Sequence, residues 1–519
     1  MFSRALFLYV FLWTALWEMP LHAQEIYYSP VDLTSERQLD VDVIGKVERN
    51  TLVYRGNRLG RQLSIFGDRM ELVRKLELSF LPKELMKVDF VNLGRSAYLF
   101  FQHIEETTLY ISVTELNGEG KLIREIQKID SASIEGLSEF ELFEVGSNSN
   151  KAKLLIYYLS KVNELTSRID AIILNRDLSK ADRARLLIGT PDGFEMISPL
   201  TLTNKGDLVF IRKTEKEDVD ELARLDVLVK PLLVDTVRTS TIRFREFSVS
   251  SFKTAIDNRN DRLVIASIYR SGKKGNASGI FSIMVDLVFG GVFNGHQIPF
   301  SDSLKREVDL KGSKNPKLFN DCFLDEVIPE NEGGYTLIME NRTVIGNTNA
   351  LLGPLSLERY DGPASGIIYG SFLPGGSGFS NPRNPYLPTG VPIESGSRNL
   401  IRYTAGNMIL LSVEGSGNLR EVQVVRKSQR EEKTAHFISY SLTKSGSGIH
   451  VLYNERKKGE LLLSSVDFTP GDRLKRNPAF RGSVPNMSFM TRYARQISSN
   501  ECIIPCVRGN YLSLAKVVF

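Results

Sequence analysis

A pair of apolar runs recurs eight times along this 519-residue chain, and no other feature constrains the fold as strongly. The first member of each pair lies at Thr51 to Arg55, Ala97 to Gln102, Lys153 to Leu159, Asp207 to Lys213, Arg262 to Tyr269, Gly334 to Glu340, Gly448 to Glu455 and Asn500 to Val507. A second run follows each after a polar or glycine-bearing gap, beginning at Arg61, Thr108, Ser167, Arg224, Gly279, Gly406, Gly459 and Asn510. Their lengths and their Val, Ile, Leu and Tyr content are those of strands. The first runs begin 46, 56, 54, 55, 72, 114 and 52 residues apart, and a period near 50 is that of a propeller blade of four strands. The expected fold is therefore all-β, a β-propeller of seven or eight four-stranded blades with one long loop insertion. The first unit is the least regular, which leaves the count between seven and eight.

The last unit ends at Phe519 directly after its second run and so lacks an outermost strand of its own. An apolar edge left open invites aggregation. The segment Glu25 to Leu33, EIYYSPVDL, has strand-like composition and is the expected donor, which would close the ring by joining its two ends. Strands that are apolar on consecutive residues, rather than alternating, disfavour a membrane β-barrel.

Residues 1–23 read as a secretory signal, with Arg4, a 13-residue apolar run from Ala5 to Trp17 broken only by Thr14, and Leu21-His22-Ala23 before a cut at Gln24. Thirteen helical residues rise about 20 Å, short of a bilayer core of about 30 Å. The mature chain, 24–519, is expected to be one exported propeller with no transmembrane segment, destined for the periplasm or the cell surface. Both tryptophans, Trp13 and Trp17, would leave with the signal. Three cysteines remain, Cys322, Cys502 and Cys506, an odd count that argues against a disulfide framework. Along a strand Cys502 and Cys506 stand about 13 Å apart, too far to bridge; with Pro505 between them, they read as small buried side chains of an irregular or edge strand. The 66 Lys plus Arg against 61 Asp plus Glu give a thin net charge of +5, and no case for nucleic acid.

The stretches ENEGGYTLIMEN from Glu330, GNMILLSVEGSGNLREVQVVRK from Gly406 and ECIIPCVRGNYLSLAKVVF from Glu501 resemble a family of uncharacterised secreted proteins of Bacteroidetes. That resemblance implies a periplasmic or surface propeller-like protein and carries over no catalytic residues.

The motifs of serine hydrolases, zinc peptidases and phosphate-binding loops are missing, so no catalytic, cofactor or metal residues are assigned. His103, followed by Glu105 and Glu106, reads as a strand-end histidine. Asp257 to Asp261 reads as a turn because Arg259 occupies a ligand position of a calcium loop. Asp286 and Asp467, at ends of second runs, read as turn chemistry. The mixed charge runs Lys213 to Asp226 and Arg426 to Lys433 read as solvated loops or short helical caps.

The segment 351–399 is unusual: 23 of its 49 residues are Gly, Pro or Ser, and 362–382 carries no charge. Its Ile367, Ile368, Tyr369, Phe372, Leu373 and Phe379 are foreign to a solvated linker; the segment reads either as a loop folded against its own propeller or as a docking surface, with these as the candidate partner-docking residues. The sequence thus points to a non-catalytic, protein-binding or scaffold propeller, with outer-membrane secretion machinery as the partner class to test first. The alternative is a propeller hydrolase or lyase acting on an extracellular polymer, which would gather acids or histidines around the central channel.

Overall fold

Strands that are apolar on consecutive residues must be covered on both faces. Ala97–Glu105 is buried over its first seven residues, and Glu501–Arg508 over its first six. The computed structural model satisfies that demand by standing eight small antiparallel sheets side by side around an axis, as a β-propeller. It describes residues 24 to 519 apart from 34–39, 57–59, 136–139, 191–196, 217–218, 273–274, 294, 310–316, 346–350, 355–366, 369–401, 433–434, 447, 486 and 510. Residues 1–23, where the sequence analysis expects a signal, lie outside the described residues.

Each first run is the second strand of a blade and each second run the third, paired as antiparallel hairpins. An inner strand precedes them and an outer strand follows. In blade 2 these are Leu85–Asn92, Ala97–Glu105, Thr108–Leu116 and Leu122–Ser133, the last facing solvent along most of its length. Blade 1 begins with inner strand Asp40–Val47, and blade 6 runs from Cys322–Pro329 through Tyr335–Ile345 and Arg402–Val413 to Leu419–Val425. The blade count is eight.

One apolar cluster fills each space between neighbouring blades. Leu52, Leu63, Phe90 and Leu99 pack blade 1 on blade 2; Ile338, Leu410, Val451 and Val466 pack blade 6 on blade 7. The helix Asp302–Val308, capped by the Ser301 hydroxyl accepting from the Leu304 amide, adds Leu304 and Val308 to the blade 5–6 cluster. The last space is filled by Val41, Val43 and Val53 of blade 1 against Ile503, Leu512 and Leu514 of blade 8, so the ring closes.

Its closure uses the chain's beginning. Glu25–Tyr28 is the outer strand of blade 8, antiparallel to Tyr511–Val518, with Glu25 opposite Val518 and Tyr28 opposite Ala515. Ser29 extends the pairing: its amide donates to the Leu514 carbonyl, and the Leu514 amide donates to its hydroxyl, both at 2.9 Å. Asp32–Leu33 pairs with Leu512 and Tyr511 beyond it. Ile26 and Tyr28 pack on the blade 7–8 cluster with Phe489 and Ile504.

The charge run Lys213 to Asp226 corrects the loop expectation. It forms the hairpin between Leu208–Lys216 and Val219–Lys230, where apolar residues such as Leu222 and Leu225 alternate with the charges and supply a buried face. Among the described residues no helix is long and apolar enough to cross a membrane.

A chain beginning at residue 34 should lose about 3 kcal/mol of stability, the burial of Ile26 and Tyr28. Amide exchange should then rise first along Tyr511–Val518. An unchanged denaturation midpoint and exchange pattern would contradict the strand's closing role.

Candidate functional site

The insert leaves blade 6 between its second and third strands. Leu351–Pro354 still pairs with Thr343–Ile345, and the chain rejoins the sheet at Arg402. Of the candidate docking residues, Ile367–Ile368 pairs antiparallel with Val41 and Asp40, adding a two-residue strand to the inner edge of blade 1. Tyr369, Phe372, Leu373 and Phe379 lie outside the described residues.

Below the insert's two attachment points lies a buried polar cluster between blades 6 and 7. Arg342 donates to both carboxylate oxygens of Asp325, at 2.6 and 3.1 Å, and to Glu340 at 3.1 Å. Its guanidinium lies 4.9 Å from the Phe323 ring centroid. Tyr440 donates to Asp325 at 2.7 Å, Ser439 donates to Glu340 at 2.7 Å, and the Lys427 ammonium pairs with Glu340. Burial would raise the Glu340 carboxyl, but Lys427 and Arg342 outweigh it and hold it below its ordinary value. Two carboxylates face two cations, a neutral and closely bonded set that suits a joint between blades.

Pro505 explains how blade 8 reaches this region. It has no N–H to donate, and the inner strand opposite it breaks into two pieces, Ser488–Phe489 and Arg495–Gln496, separated by the 3-10 turn Thr491–Tyr493. That turn buries Thr491, leaves Arg492 partly buried and places the Tyr493 hydroxyl 2.6 Å from Nδ1 of His436. Burial, reinforced by Arg492, pushes the His436 imidazolium down to about 4, so the ring is neutral at physiological pH. The expectation of an irregular or edge strand at Pro505 is corrected: the interruption falls on the inner neighbour, and Glu501–Arg508 itself is internal and pairs without a register shift. Cys502 and Cys506 on it are free and buried, as is Cys322, and burial pushes all three thiols up to about 12.

The inner strands carry acids, and cations of neighbouring blades meet them. Lys87 of blade 2 reaches Glu144 of blade 3 at 2.7 Å, Lys444 of blade 7 reaches Glu326 of blade 6 at 3.2 Å, and Arg495 of blade 8 stands 3.9 Å from Asp42 of blade 1. The last contact is long. Burial therefore dominates and, with a lesser push from Asp89, lifts the Asp42 carboxyl to about 7.

A polar cleft of about 550 Å³ opens on one face of blade 7, lined by His450, Asp467, Thr469, Arg473 and Lys475 among others. His450 Nδ1 and Asp467 Oδ1 are 2.7 Å apart, and the imidazole stacks on the ring of Phe519 at 4.1 Å. Burial would raise the Asp467 carboxyl, but its hydrogen bond with His450 keeps it below its ordinary range. Such a pair can orient an imidazole as a general base.

The remaining sequence candidates take structural roles. His103 lies between Phe101 and Tyr110 with Nε2 3.1 Å from Glu105. Asp257 accepts from the Arg259 amide and Asp286 from the Val288 and Phe289 amides, as turn residues do. Among the described residues no three His, Cys, Asp or Glu side chains converge as a metal site. The run Arg426 to Lys433 is neither loop nor helical cap throughout: Gln429–Glu432 pairs with Arg402–Ala405, and Lys427 is buried on Glu340. Sequence reading missed Asp325, Glu340, Arg342 and Lys427; the available signal was Glu340 and Arg342 standing inside the apolar run YTLIMENRTVI.

Replacing Arg342 with Met should cost about 3–5 kcal/mol, the usual penalty for stranding one side of a buried ion pair, read from the denaturant midpoint; a loss below about 1 kcal/mol would place the pair in solvent-like surroundings. A carboxyl with its folded pKa raised to about 7 contributes stability that is complete below pH 4 and lost as pH rises through 7. Asp42→Asn should therefore be more stable than the parent at pH 8, with the advantage shrinking toward pH 4. An equal difference at both pH values would contradict that environment for Asp42.

No protein-family model and no curated protein matches the chain. Among solved structures it is similar to a polysaccharide lyase, PL25 ulvan lyase, at 11% identity and a TM-score of 0.37, over 82% of this chain and 90% of that one. It is also similar to a prolyl endopeptidase at 10% identity and a TM-score of 0.32, over 86% and 55% of the two chains. The Synechocystis apocarotenoid oxygenase follows at 7% identity and a TM-score of 0.30, over 95% and 93%. Likeness at this level carries no argument about chemistry.

Proposed function

We propose that the chain is an exported, non-catalytic propeller that binds a protein partner in the periplasm or at the cell surface, as a scaffold of an outer-membrane assembly. The observation that supports this reading is the composition of the insert, whose Ile367–Ile368 pair with Asp40–Val41 of the same chain and so anchor it to the inner edge of blade 1. The insert is uncharged from 362 to 382 and rich in apolar residues. A segment that adds as a strand to an open edge uses the same main-chain bonding by which extended peptides dock on proteins. The inter-blade pairs Lys87–Glu144 and Lys444–Glu326 support the non-catalytic part, because they commit inner-strand acids to holding blades together. The export signal and the resemblance to secreted Bacteroidetes proteins support the compartment.

Deleting 362–382 and repeating affinity capture from envelope extracts should remove the specific partner while the thermal midpoint stays unchanged. An unaltered set of captured proteins would overturn the docking role of the insert.

The His450–Asp467 pair in its polar cleft favours one second reading, a hydrolase or lyase acting on an extracellular polymer. Cleavage of an extracellular polysaccharide that His450→Asn abolishes would establish it in place of the first.

A further inference from the structure

On one face of the ring the third strand of blades 1 to 7 turns into the fourth. In blades 1, 2, 3, 6 and 7 these turns, at 67–71, 117–121, 175–179, 414–418 and 469–473, are built mainly from Gly, Asn, Asp, Ser, Thr and charged residues. Blades 4 and 5 break that pattern together. Their turns read Pro231-Leu232-Leu233-Val234 and Leu287-Val288-Phe289-Gly290-Gly291-Val292-Phe293. Leu233 is 74% exposed and Phe289 86%, and Val234, Val292 and Phe293 are exposed beside them.

Leu233 sharpens the contrast. Its φ of 61° is left-handed, a conformation that strains a bulky residue. In blades 1, 2, 3 and 6 the left-handed residue comes one place later in the turn: it is Gly120 and Gly417 in blades 2 and 6, and Met70 and Leu178, with their side chains buried, in blades 1 and 3. Leu233 alone among these bears the strain with an exposed side chain, while its amide donates to Asp182 of blade 3 at 2.9 Å.

The two apolar turns form one ridge. The Ser240 hydroxyl, on the outer strand of blade 4, donates to the Gly290 carbonyl in the turn of blade 5 at 2.8 Å. Arg238, which opens the outer strand of blade 4, and Arg262 stand beside the ridge. Arg262 lies over the Phe293 ring at 4.9 Å, and neither forms an ion pair with a described carboxylate. Asp286 is occupied in capping its own turn, which leaves Asp235 as the acid exposed within the ridge.

We propose that this ridge is a peripheral membrane contact, in which Leu233, Phe289 and their apolar neighbours enter the interfacial layer of a bilayer while Arg238 and Arg262 meet anionic lipid phosphates. Side chains that stand clear of the surface offer no groove for a partner's side chain, yet they suit insertion into a fluid layer. Unneutralised guanidinium groups behind uncharged tips complement phosphate headgroups.

The full chain is mixed with sucrose-loaded vesicles of phosphatidylcholine, with or without about 30% phosphatidylglycerol, and sedimented. It should co-sediment with the anionic vesicles, less so as salt is raised. Leu233→Ser with Phe289→Ser should weaken that partition tenfold or more at an unchanged thermal midpoint. Arg238→Gln with Arg262→Gln should erase the preference for phosphatidylglycerol. The proposal is overturned if the parent fails to sediment with the vesicles, or if the serine variant partitions as the parent does. A concentration-dependent dimer that the serine variant abolishes, without vesicle binding, would overturn it too and assign the ridge to a second copy of this chain.

Discussion

Every blade here is a sheet with two apolar faces, and such a sheet is stable only between two others. In a row, the first and last sheets would each leave one face in water. Closing the row into a ring removes both faces at once, and the packing of Val41 and Val43 against Ile503 and Leu514 does so. The closure is secured at the outer rim, where Glu25–Tyr28 completes a blade whose other strands come from the end of the chain. Local hairpins can form from near neighbours in sequence, but this pairing joins residues almost the whole length of the chain apart, so it imposes the largest loop-closure cost on folding.

Polar groups manage what apolar packing leaves over near the axis. Inner strands have a backbone edge turned toward the centre, and charged side chains from adjacent blades meet across it. Between blades 6 and 7 the same device is taken deeper, where Arg342 bridges Asp325 and Glu340 directly below the attachment points of the insert. Thr343 and Thr404, whose hydroxyls lie 2.5 Å apart, brace those attachment points. The long insertion therefore hangs from a rigid base. Pro505 shows a related economy: the strand position that cannot donate a hydrogen bond is where the neighbouring strand swings away to bury Thr491 and set Tyr493 against His436.

The hairpin repeat, the blade size and the borrowed outer strand were legible in the sequence because each follows from local pattern: two-sided apolar runs, turn residues between them, and a last unit one strand short. The free, buried cysteines were legible by spacing. The polar cluster was not, because Asp325, Glu340, Arg342 and Lys427 come from two strands and a loop of blade 6 that stand far apart in sequence, and only the folding of that sheet unites them, with the Ser439 and Tyr440 hydroxyls of blade 7 added by packing. Lys213 to Asp226 misled for a physical reason: strands in the hairpin of blade 4 extend past the core, so charges alternate with apolar residues and imitate a solvated loop. The apolar turns of blades 4 and 5 were visible as letters but acquired meaning only once five polar turns stood around them at equivalent places. Of the docking candidates, Ile367 and Ile368 gained a pairing partner that no sequence pattern announced.

The closing register can be tested by covalent capture. With Glu25→Cys and Val518→Cys, paired across the rim, mild oxidation should give a circular chain of altered mobility in non-reducing gels; the native thiols, buried and pushed up to about 12, should stay silent. The pair Glu25→Cys with Tyr511→Cys, far out of register, should not form it. Equal cross-linking of both pairs, or of neither, would contradict a ring closed by its own first strand.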